Sequence, residues 1–261
     1  MKKRVPIILM LISFIVLPAL AQLGRPGMGG PPKGANLSGR LSKLFGDHPG
    51  FSATMEIQTA ITSDENVTYP GKVAFADGNS RFEMDTTKAK GIGVGNVAAQ
   101  MQAMGMDKMI VISRPDNKLS YMILPGLKAY AEIPLKDSDV VKSQDQFKIE
   151  STEVAREKVD DHDCVKNRVV ISDNEGNKHQ LTAWNATDLN KFPVKIEQTE
   201  GGSLTTILFK DIKLTKPEAN LFDPPSDMTR YTSYGEMVQK EMMKKYNTQK
   251  GSQKAPVPQA E

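Results

Sequence analysis

The sequence contains a single cysteine, Cys164, so no disulfide bond can form within the chain. Burial of apolar side chains therefore has to stabilise the fold alone, and the chain is long enough to do so. Apart from His162, no basic partner that would activate a thiol is evident. We expect Cys164 to be a small buried apolar residue rather than a nucleophile.

A surplus of charge is also missing once the N-terminus is set aside. The chain has 34 basic and 31 acidic side chains, but Lys2, Lys3 and Arg4 precede the first acidic residue, so residues 22–261 carry 31 of each sign. Nucleic-acid binding requires a concentrated basic patch that neutralises phosphates. The sequence therefore predicts no nucleic-acid partner.

No apolar run is long enough to cross a bilayer, which takes about 20 residues. The run Ile7–Leu17 follows the three basic residues and precedes Ala19-Leu20-Ala21, a small-residue cleavage motif. This pattern predicts a signal peptide at residues 1–21, cleaved before Gln22. We expect a periplasmic or secreted protein whose mature chain has no transmembrane span.

Recognisable catalytic motifs are absent as well. Only His48, His162 and His179 are available, and no nucleophile elbow, HExxH pair or phosphate-binding loop occurs. The stretch Asp160–Cys164 contains metal-binding residue types, but alternate residues of a strand share a face, so this stretch supplies too few ligands and is interpreted as a polar turn. The sequence predicts neither an enzyme nor a cofactor.

Composition divides the chain into four parts. Eight of the twelve residues at 24–35 are glycine or proline, which predicts a flexible leader over residues 22–35. Residues 247–261 contain Val257 as their only sizeable apolar residue, which predicts a disordered tail. Between them, residues 36–246 are expected to form a single domain.

Alternation of apolar and polar residues dominates that domain, starting with Phe51, Ala53, Met55, Ile57 and Ile61. Short turn sequences such as Asp77-Gly78-Asn79 separate about ten such strands, which predicts an antiparallel sheet. The further predicted strands lie at 67–75, 82–86, 109–113, 119–124, 129–135, 165–172, 180–184, 194–198 and 204–214.

Few helices are expected. One predicted helix begins near Leu37, a second is capped by Asn96, and a third covers Ser138–Gln144. The last has the strongest start signal, because Ser233 and Glu236 form a capping box before an i+4 apolar stripe. The fold class predicted from these elements is α+β, mainly antiparallel.

Four methionines occur within nine residues, at Met101, Met104, Met106 and Met109. Thioethers bind Cu(I) outside the cytoplasm, so a copper site is one interpretation. Methionine is also the adaptable residue of apolar surfaces that repack around varied partners. An adjustable apolar cover and an ordinary core are therefore two further interpretations.

Two segments near the C-terminus, Leu181–Ile196 and Leu221–Tyr231, together with the turn and strand Asp77–Glu83, resemble LolA-like periplasmic proteins, the outer-membrane lipoprotein carriers and their relatives. The resemblance is strongest to an uncharacterised branch known only as a domain of unknown function. It covers most of residues 50–231.

This resemblance implies an open, incomplete barrel of about ten strands covered by a few helices, with an apolar concavity for a hydrophobic ligand. The resemblance also points to Arg81, which shares a strand face with Glu83, as a residue that holds the cover closed or orients the ligand; a plain surface ion pair is the alternative. The candidate lining residues are Met55, Ile57, Phe75, Phe82, Met84, Val97, Met101, Met104 and Trp184.

The leading functional hypothesis is a non-catalytic periplasmic binding or carrier protein for a lipid, an acyl chain or a lipoprotein. The alternative is an envelope interaction or sensor module whose core is filled by its own side chains and whose sheet binds a protein partner. The third hypothesis is Cu(I) binding through the four methionines.

Overall fold

The computed structural model describes residues 44–45, 48–60, 66–91, 93–135, 147–173, 178–200 and 203–252. Twelve strands form one sheet. They are β1 (Gly50–Ala60), β2 (Asn66–Ala76), β3 (Asn79–Asp85), β4 (Lys108–Arg114), β5 (Leu119–Leu124), β6 (Ala129–Pro134), β7 (Phe147–Val159), β8 (His162–Asp173), β9 (Lys178–Ala186), β10 (Pro193–Glu200), β11 (Ser203–Lys213) and β12 (Thr229–Tyr231).

Two α-helices accompany the strands in the described residues, α1 (Val94–Met104) and α2 (Tyr234–Ser252). Four short 3-10 helices connect strands: η1 (Thr86–Lys88), η2 (Pro115–Asn117), η3 (Pro125–Leu127) and η4 (Ala219–Phe222). None of the helices in this part of the chain is both long and apolar enough to span a membrane.

The strand order is β12-β6-β5-β4-β3-β2-β1-β11-β10-β9-β8-β7, and the sheet is not closed into a barrel. All neighbouring strands are antiparallel except β12, which lies parallel to β6. The predicted fold class, an open α+β architecture with mainly antiparallel strands, is confirmed. Two strands more than the predicted ten are present.

One face of this sheet, which we call the inner face, carries the alternating apolar residues. In β1 they are buried at every second position, as the sequence predicted. The strand register continues one buried row across β2 to β6, comprising Val73, Phe82, Val111, Met122 and Ala131. Both α1 and α2 lie against this face, next to Met106, Val111 and Met122.

The opposite, outer face of β4 and β5 is covered by the chain that follows β11. There Phe222 of η4 is fully buried in a cluster with Ile112, Tyr121 and Ile123. Arg114 fixes this segment by donating to Asp223 at 2.6 Å. Strands β4 and β5 are therefore covered on both faces, which explains their nearly continuous apolar sequences.

The predicted start of α2 is confirmed, since the amide of Glu236 donates to the Ser233 hydroxyl at 3.2 Å. The carboxylate of Glu236 accepts from the Thr232 hydroxyl at 2.9 Å instead of reaching back to Ser233. The helix continues to Ser252, past residue 246, where the sequence placed the end of the domain.

The predicted N-cap of α1, Asn96, is wrong by three positions, since the observed N-cap is Gly93. The helix begins at Val94, and Gly93 precedes it in the left-handed conformation with φ +75° and no side-chain cap. Glycine adopts this conformation without a steric penalty, so the chain enters the helix there without a polar capping residue.

Strands β7 and β12 were not predicted. Residues Ser151 to Lys158 of β7 are all exposed, so this 13-residue strand buries no regular apolar stripe that its sequence could reveal. Strand β12 has only three residues, too few to show an alternation of apolar and polar side chains. The signal peptide, the leader, the helix near Leu37 up to residue 43 and the helix at Ser138–Gln144 lie outside the described residues, as do residues 253–261 of the tail.

Candidate functional site

A groove with a volume of about 410 Å³ opens at the end of the sheet where β3 ends at Asp85 and β4 begins at Lys108. Two of the candidate lining residues from the sequence, Met55 and Met84, border it together with Met109, but Met55 and Met84 are buried on the inner face. The remaining apolar lining comes from Pro70, Gly71, Ile110 and Pro125. We call this space the methionine groove.

The groove forms because β2 extends further than β3. Register pairs join β2 to β3 only from Gly71 onward, whereas residues 66–70 of β2 pair with β1. Pro70 has no amide hydrogen to donate to a further β3 residue. Strand β3 is followed by η1, which does not pair with β2. An isolated β-bridge then pairs Thr68 of β2 with Lys90.

Gly71 keeps the groove floor close to β3. A Cβ atom at this position would lie 2.7 Å from the carbonyl oxygen of Glu83 and 3.3 Å from Cγ of Met55. Real Cβ atoms do not approach backbone oxygens this closely, so a side chain here would force β2 and β3 apart. The glycine therefore maintains the shape of the floor.

Charged side chains surround the apolar floor. Four lysines and three carboxylates line the groove, namely Lys72, Lys88, Lys108, Lys210, Glu56, Glu83 and Asp85. Lys210 pairs with Glu56 at 3.1 Å, and Lys88 lies 4.0 Å from Asp85. A site with an apolar floor and a charged rim suits a ligand that is itself apolar at one end and polar at the other.

Met109 connects the groove to a second apolar cluster, formed by α1, α2 and the inner face of β4 to β6. All four methionines of the sequence cluster belong to it, with Met106 buried and the other three partly buried. Met122, Met237 and Met242 join them. The structure thus brings seven methionines into one region under the two helices.

Helix α1 is only lightly attached to this region. Val94 is the only one of its eleven residues that is buried, while Met101 and Met104 are half-buried. Val97, a predicted lining residue, is 40% exposed on this helix. Left-handed glycines stand at both ends of α1, Gly93 with φ +75° and Gly105 with φ +74°.

The C-terminus of α1 rests against two other elements. Gly105 approaches η3 so closely that a Cβ atom on it would lie 2.8 Å from the carbonyl oxygen of Gly126. From α2, the ammonium of Lys245 donates to the carbonyl of Ala103 at 3.4 Å. A cation at this position also complements the negative end of the helix dipole.

Three other candidate lining residues belong to the main core. Ile57 and Phe82 are buried on the inner face, and Phe75 is half-buried with its ring centroid 6.0 Å from that of Phe51. Phe51 in turn contacts Phe45 and Phe192. Phe75 therefore belongs to an aromatic cluster, whereas Phe82 lies beside the groove, since its ring would be 3.4 Å from a Cβ atom on Gly71.

Trp184 lies on the opposite face from Ile196. Its register partners are Lys166 and Lys195, whose ammonium groups lie 4.8 and 4.2 Å from the centroid of the ring. The indole nitrogen donates to the carboxylate of Glu157, and this bond together with Lys166 lowers the pKa of Glu157. The tryptophan is buried by charged neighbours, away from the groove.

Arg81 lies on the outer face, since its neighbour Phe82 points inward. The guanidinium pairs with Glu83 at 2.7 Å and donates to the carbonyl of Leu221 at 3.1 Å. It therefore holds η4 against the sheet. A role for Arg81 in orienting a ligand stays a prediction.

The residues of the Asp160–Cys164 stretch have separate partners. Nδ1 of His162 lies 2.8 Å from Asp188, and the thiol of Cys164 donates to the His162 carbonyl at 3.4 Å. Cys164 is buried, as the sequence predicted, and this burial raises the pKa of its thiol. Within the described residues, no three His, Cys, Asp or Glu side chains are arranged to hold a metal ion.

The rim lysines were not among the sequence candidates. Alternation in β2 and β4 does place Lys72 and Lys108 on the outer face. Their position beside a groove depends on where β3 ends relative to β2, however, and a single sequence does not contain this register.

Comparison with known proteins gives no family model and no curated protein that matches this chain. Similar solved structures include a LolA superfamily protein from Nitrosomonas europaea, with 9% identity over 72% of this chain and 96% of that one and a TM-score of 0.35. A DUF1329 family protein from Desulfovibrio piger is 12% identical over 77% of this chain and all of that one, with a TM-score of 0.36.

The lipoprotein LppX of Mycobacterium tuberculosis is 10% identical over 74% of this chain and 96% of that one, with a TM-score of 0.36. The group that the sequence resemblance named, the LolA-like proteins, thus occurs among these structures. TM-scores at this level describe only a partial superposition of the backbones. The basis for a proposed function is therefore the arrangement of this chain's own side chains.

Proposed function

We propose that this protein is a non-catalytic binding or carrier protein of the bacterial periplasm that holds a lipid, an acyl chain or an acylated protein. One observation carries this proposal: the methionine groove combines an apolar lining, to which Pro70, Ile110 and Pro125 contribute, with a rim of charged side chains. An amphiphile presents the matching arrangement of an apolar chain and a polar head.

The size of the groove supports this assignment, because about 410 Å³ falls within the range of roughly 300 to 1,000 Å³ that small-molecule sites occupy. Apolar side chains such as those of Ile110 and Pro125 in the lining offer no directional bonds, so the lining selects for apolar character more than for one ligand.

Apolar side chains continue beyond Met109, under α1. This helix buries one residue and is bounded by left-handed glycines, so its displacement would expose few apolar groups of its own. A ligand longer than the groove would then extend into the seven-methionine cluster. In this proposal α1 acts as the adjustable cover.

The location in the periplasm rests on the signal-peptide pattern of residues 1–21. N-terminal sequencing of the exported protein would test it, and the expected first residue is Gln22. An exported chain that still begins at Met1 would contradict the cleavage.

Native mass spectrometry of the gently purified mature chain, followed by lipid extraction, tests the binding function. We expect amphiphiles to copurify with the wild-type protein. The variant Met109→Glu places a charge in the apolar floor and is expected to lose them, whereas Met243→Glu alters a side chain that is 59% exposed and is expected to retain them.

Circular dichroism establishes that both variants fold. A wild-type protein that neither carries nor takes up any amphiphile would contradict the proposed function. Equal loads on wild type and a folded Met109→Glu variant would show that the ligand occupies a different place.

A second candidate function, docking of an envelope protein, is favoured by β7. This 13-residue strand stands at the end of the sheet order, and its residues Ser151 to Lys158 are exposed. An exposed edge accepts an added strand through backbone hydrogen bonds. A stable complex from the envelope that survives Met109→Glu but not a proline substitution at Thr152 would favour this second function.

A further inference from the structure

We propose that Lys72 and Lys108 form a binding site for the anionic headgroup of the amphiphile, a phosphate or carboxylate whose apolar chain lies on the apolar lining of the same groove. This inference rests on the proposed function and adds the charge class of the ligand. It follows from which rim charges are already neutralised and which are not.

Each carboxylate on the rim already has a partner. Glu83 accepts from Arg81 at 2.7 Å, and Glu56 accepts from Lys210 at 3.1 Å. Asp85 accepts from the backbone amide of Thr87 at 3.1 Å and from its hydroxyl at 2.5 Å, and so caps η1. Its other oxygen faces Lys88 at 4.0 Å.

Of the four rim lysines, Lys88 and Lys210 belong to these pairs and the other two, Lys72 and Lys108, do not. In the strand register Lys72 stands opposite Glu83, and Lys108 stands opposite Asp85. Their natural cross-strand partners are engaged elsewhere, and neither lysine has a carboxylate within 4.0 Å among the described residues. The rim therefore has two uncompensated positive charges that belong to adjacent register rows.

Both lysines are exposed, and their strands fix where the side chains originate. Lys72 and Ile110 share one outer-face register row, and Lys108 lies one row further along the same face. An anionic head between the two lysines would thus place the first carbons of its chain on the outer-face apolar lining, Pro70, Ile110 and Pro125. Lysine ammonium groups bind phosphate and carboxylate oxygens through charge-assisted hydrogen bonds.

The rim as a whole carries excess positive charge, because four lysines face three carboxylates there. A neutral or cationic headgroup would gain nothing from these lysines, whereas an anion neutralises both. The expected ligand class is therefore an anionic amphiphile.

Isothermal titration calorimetry of the mature protein tests this inference with three probes of defined chemistry. Dodecyl phosphate, below its critical micelle concentration, carries both chain and anion. Dodecyl maltoside has the same chain with a neutral head, and inorganic phosphate is the anion alone. For the double variant Lys72→Gln/Lys108→Gln we expect about tenfold weaker binding of dodecyl phosphate and unchanged binding of dodecyl maltoside.

The matched control is Lys158→Gln/Lys178→Gln, which removes two exposed lysines on β7 and β9, away from the groove. It is expected to bind all three probes like the wild type. As a measurement independent of any variant, the wild-type affinity for dodecyl phosphate should fall with salt concentration while that for dodecyl maltoside does not.

The outcomes separate the two proposals. If dodecyl phosphate binds the Lys72→Gln/Lys108→Gln variant as tightly as the wild type, the headgroup site is refuted and the carrier function stands. If neither dodecyl compound binds the wild-type protein, both proposals fail. If inorganic phosphate binds as tightly as dodecyl phosphate, the two lysines form a free-anion site and the lipid headgroup assignment is wrong.

Discussion

The guanidinium of Arg81 on β3 donates a hydrogen bond at 3.1 Å to the carbonyl oxygen of Leu221, which lies 140 residues further along the chain. Both residues belong to segments that carry the LolA resemblance. Their contact explains why an arginine stands on this strand: it holds η4 over the outer face, where Phe222 seals a small apolar cluster.

Replacing Arg81 by alanine is therefore expected to reduce stability. The variant loses the bond to Leu221 and leaves Glu83 without its partner, so the free energy of unfolding should fall by about 1 to 2 kcal/mol. Urea denaturation measures the change, with Arg168→Ala, an exposed arginine on β8, as the control. An Arg81→Ala variant of unchanged stability but altered amphiphile uptake would instead support a role at the ligand.

The glycines of α1 give a matched pair of predictions. Gly105→Ala forces a positive φ on alanine and brings its Cβ to 2.8 Å from Gly126, so we expect a loss of about 1 to 3 kcal/mol. Gly95→Ala meets no atom within 4 Å and replaces a glycine inside a helix, so we expect a gain of about 0.5 to 1 kcal/mol. Chemical denaturation measures the free energy of unfolding of both variants. The two values can be compared directly if the slopes of the curves are equal.

A Gly105→Ala variant as stable as the wild type would show that the close approach of α1 to η3 relaxes freely. In that case the attachment of α1 would be weaker than its geometry indicates.

A buried carboxylate attaches α2 to the sheet. Glu241 is 8% exposed, accepts from the Tyr231 hydroxyl at 2.5 Å and pairs with Lys244 at 2.7 Å. Burial alone would raise the pKa of Glu241, but the bonds from Lys244 and Tyr231 outweigh it and lower the pKa below the ordinary value of 4.5. The charged form thus stabilises the folded state.

The pH dependence follows from this direction. The stabilisation by Glu241 is complete above its unfolded-state pKa, near 4.5, and is lost as the pH falls through the lower pKa of the folded state. At pH 7 we expect Glu241→Gln to be less stable than wild type by about 1 to 2 kcal/mol. The difference should narrow below pH 4.5, and a difference that stays constant down to pH 3 would refute the assignment.

The methionine cluster distinguishes the carrier from the copper hypothesis. Leucine and methionine have similar volumes, so Met101→Leu/Met104→Leu should change stability by less than about 1.5 kcal/mol and leave amphiphile binding intact. We expect the double variant to compete for Cu(I) with a chelator no differently from the wild type. Cu(I) retention by the wild type that is lost in this variant, but not in Met243→Leu, would favour copper binding.

Much of the sheet could be predicted from the sequence because most strands bury one face. In β1 the alternation of Phe51, Ala53, Met55 and Ile57 with polar residues predicted both the strand and its buried side. Strand β7 could not be predicted in this way, since an exposed edge strand has no buried face to impose a period. The apolar spacing of Val97, Met101 and Met104 predicted the existence of α1, but not its start after a left-handed glycine, because that start has no polar capping residue.

The candidate site was predicted in part. Met55 and Met84 were identified as inward residues and do line the groove, whereas Val97 is exposed and Trp184 lies among charged residues on the other face. Lys72 and Lys108 were not predicted as site residues, because the alternation of their strands shows only that each faces solvent.

By itself the sequence determined the local properties: which residues alternate between apolar and polar, where α2 begins, and that no disulfide bond supports the fold. Only the tertiary structure decided how far β3 extends beside β2, that Arg81 contacts a segment 140 residues away, and which lysines remain without a carboxylate partner. Periodicity and capping are properties of neighbouring residues, whereas register and ion pairing depend on which distant strands meet.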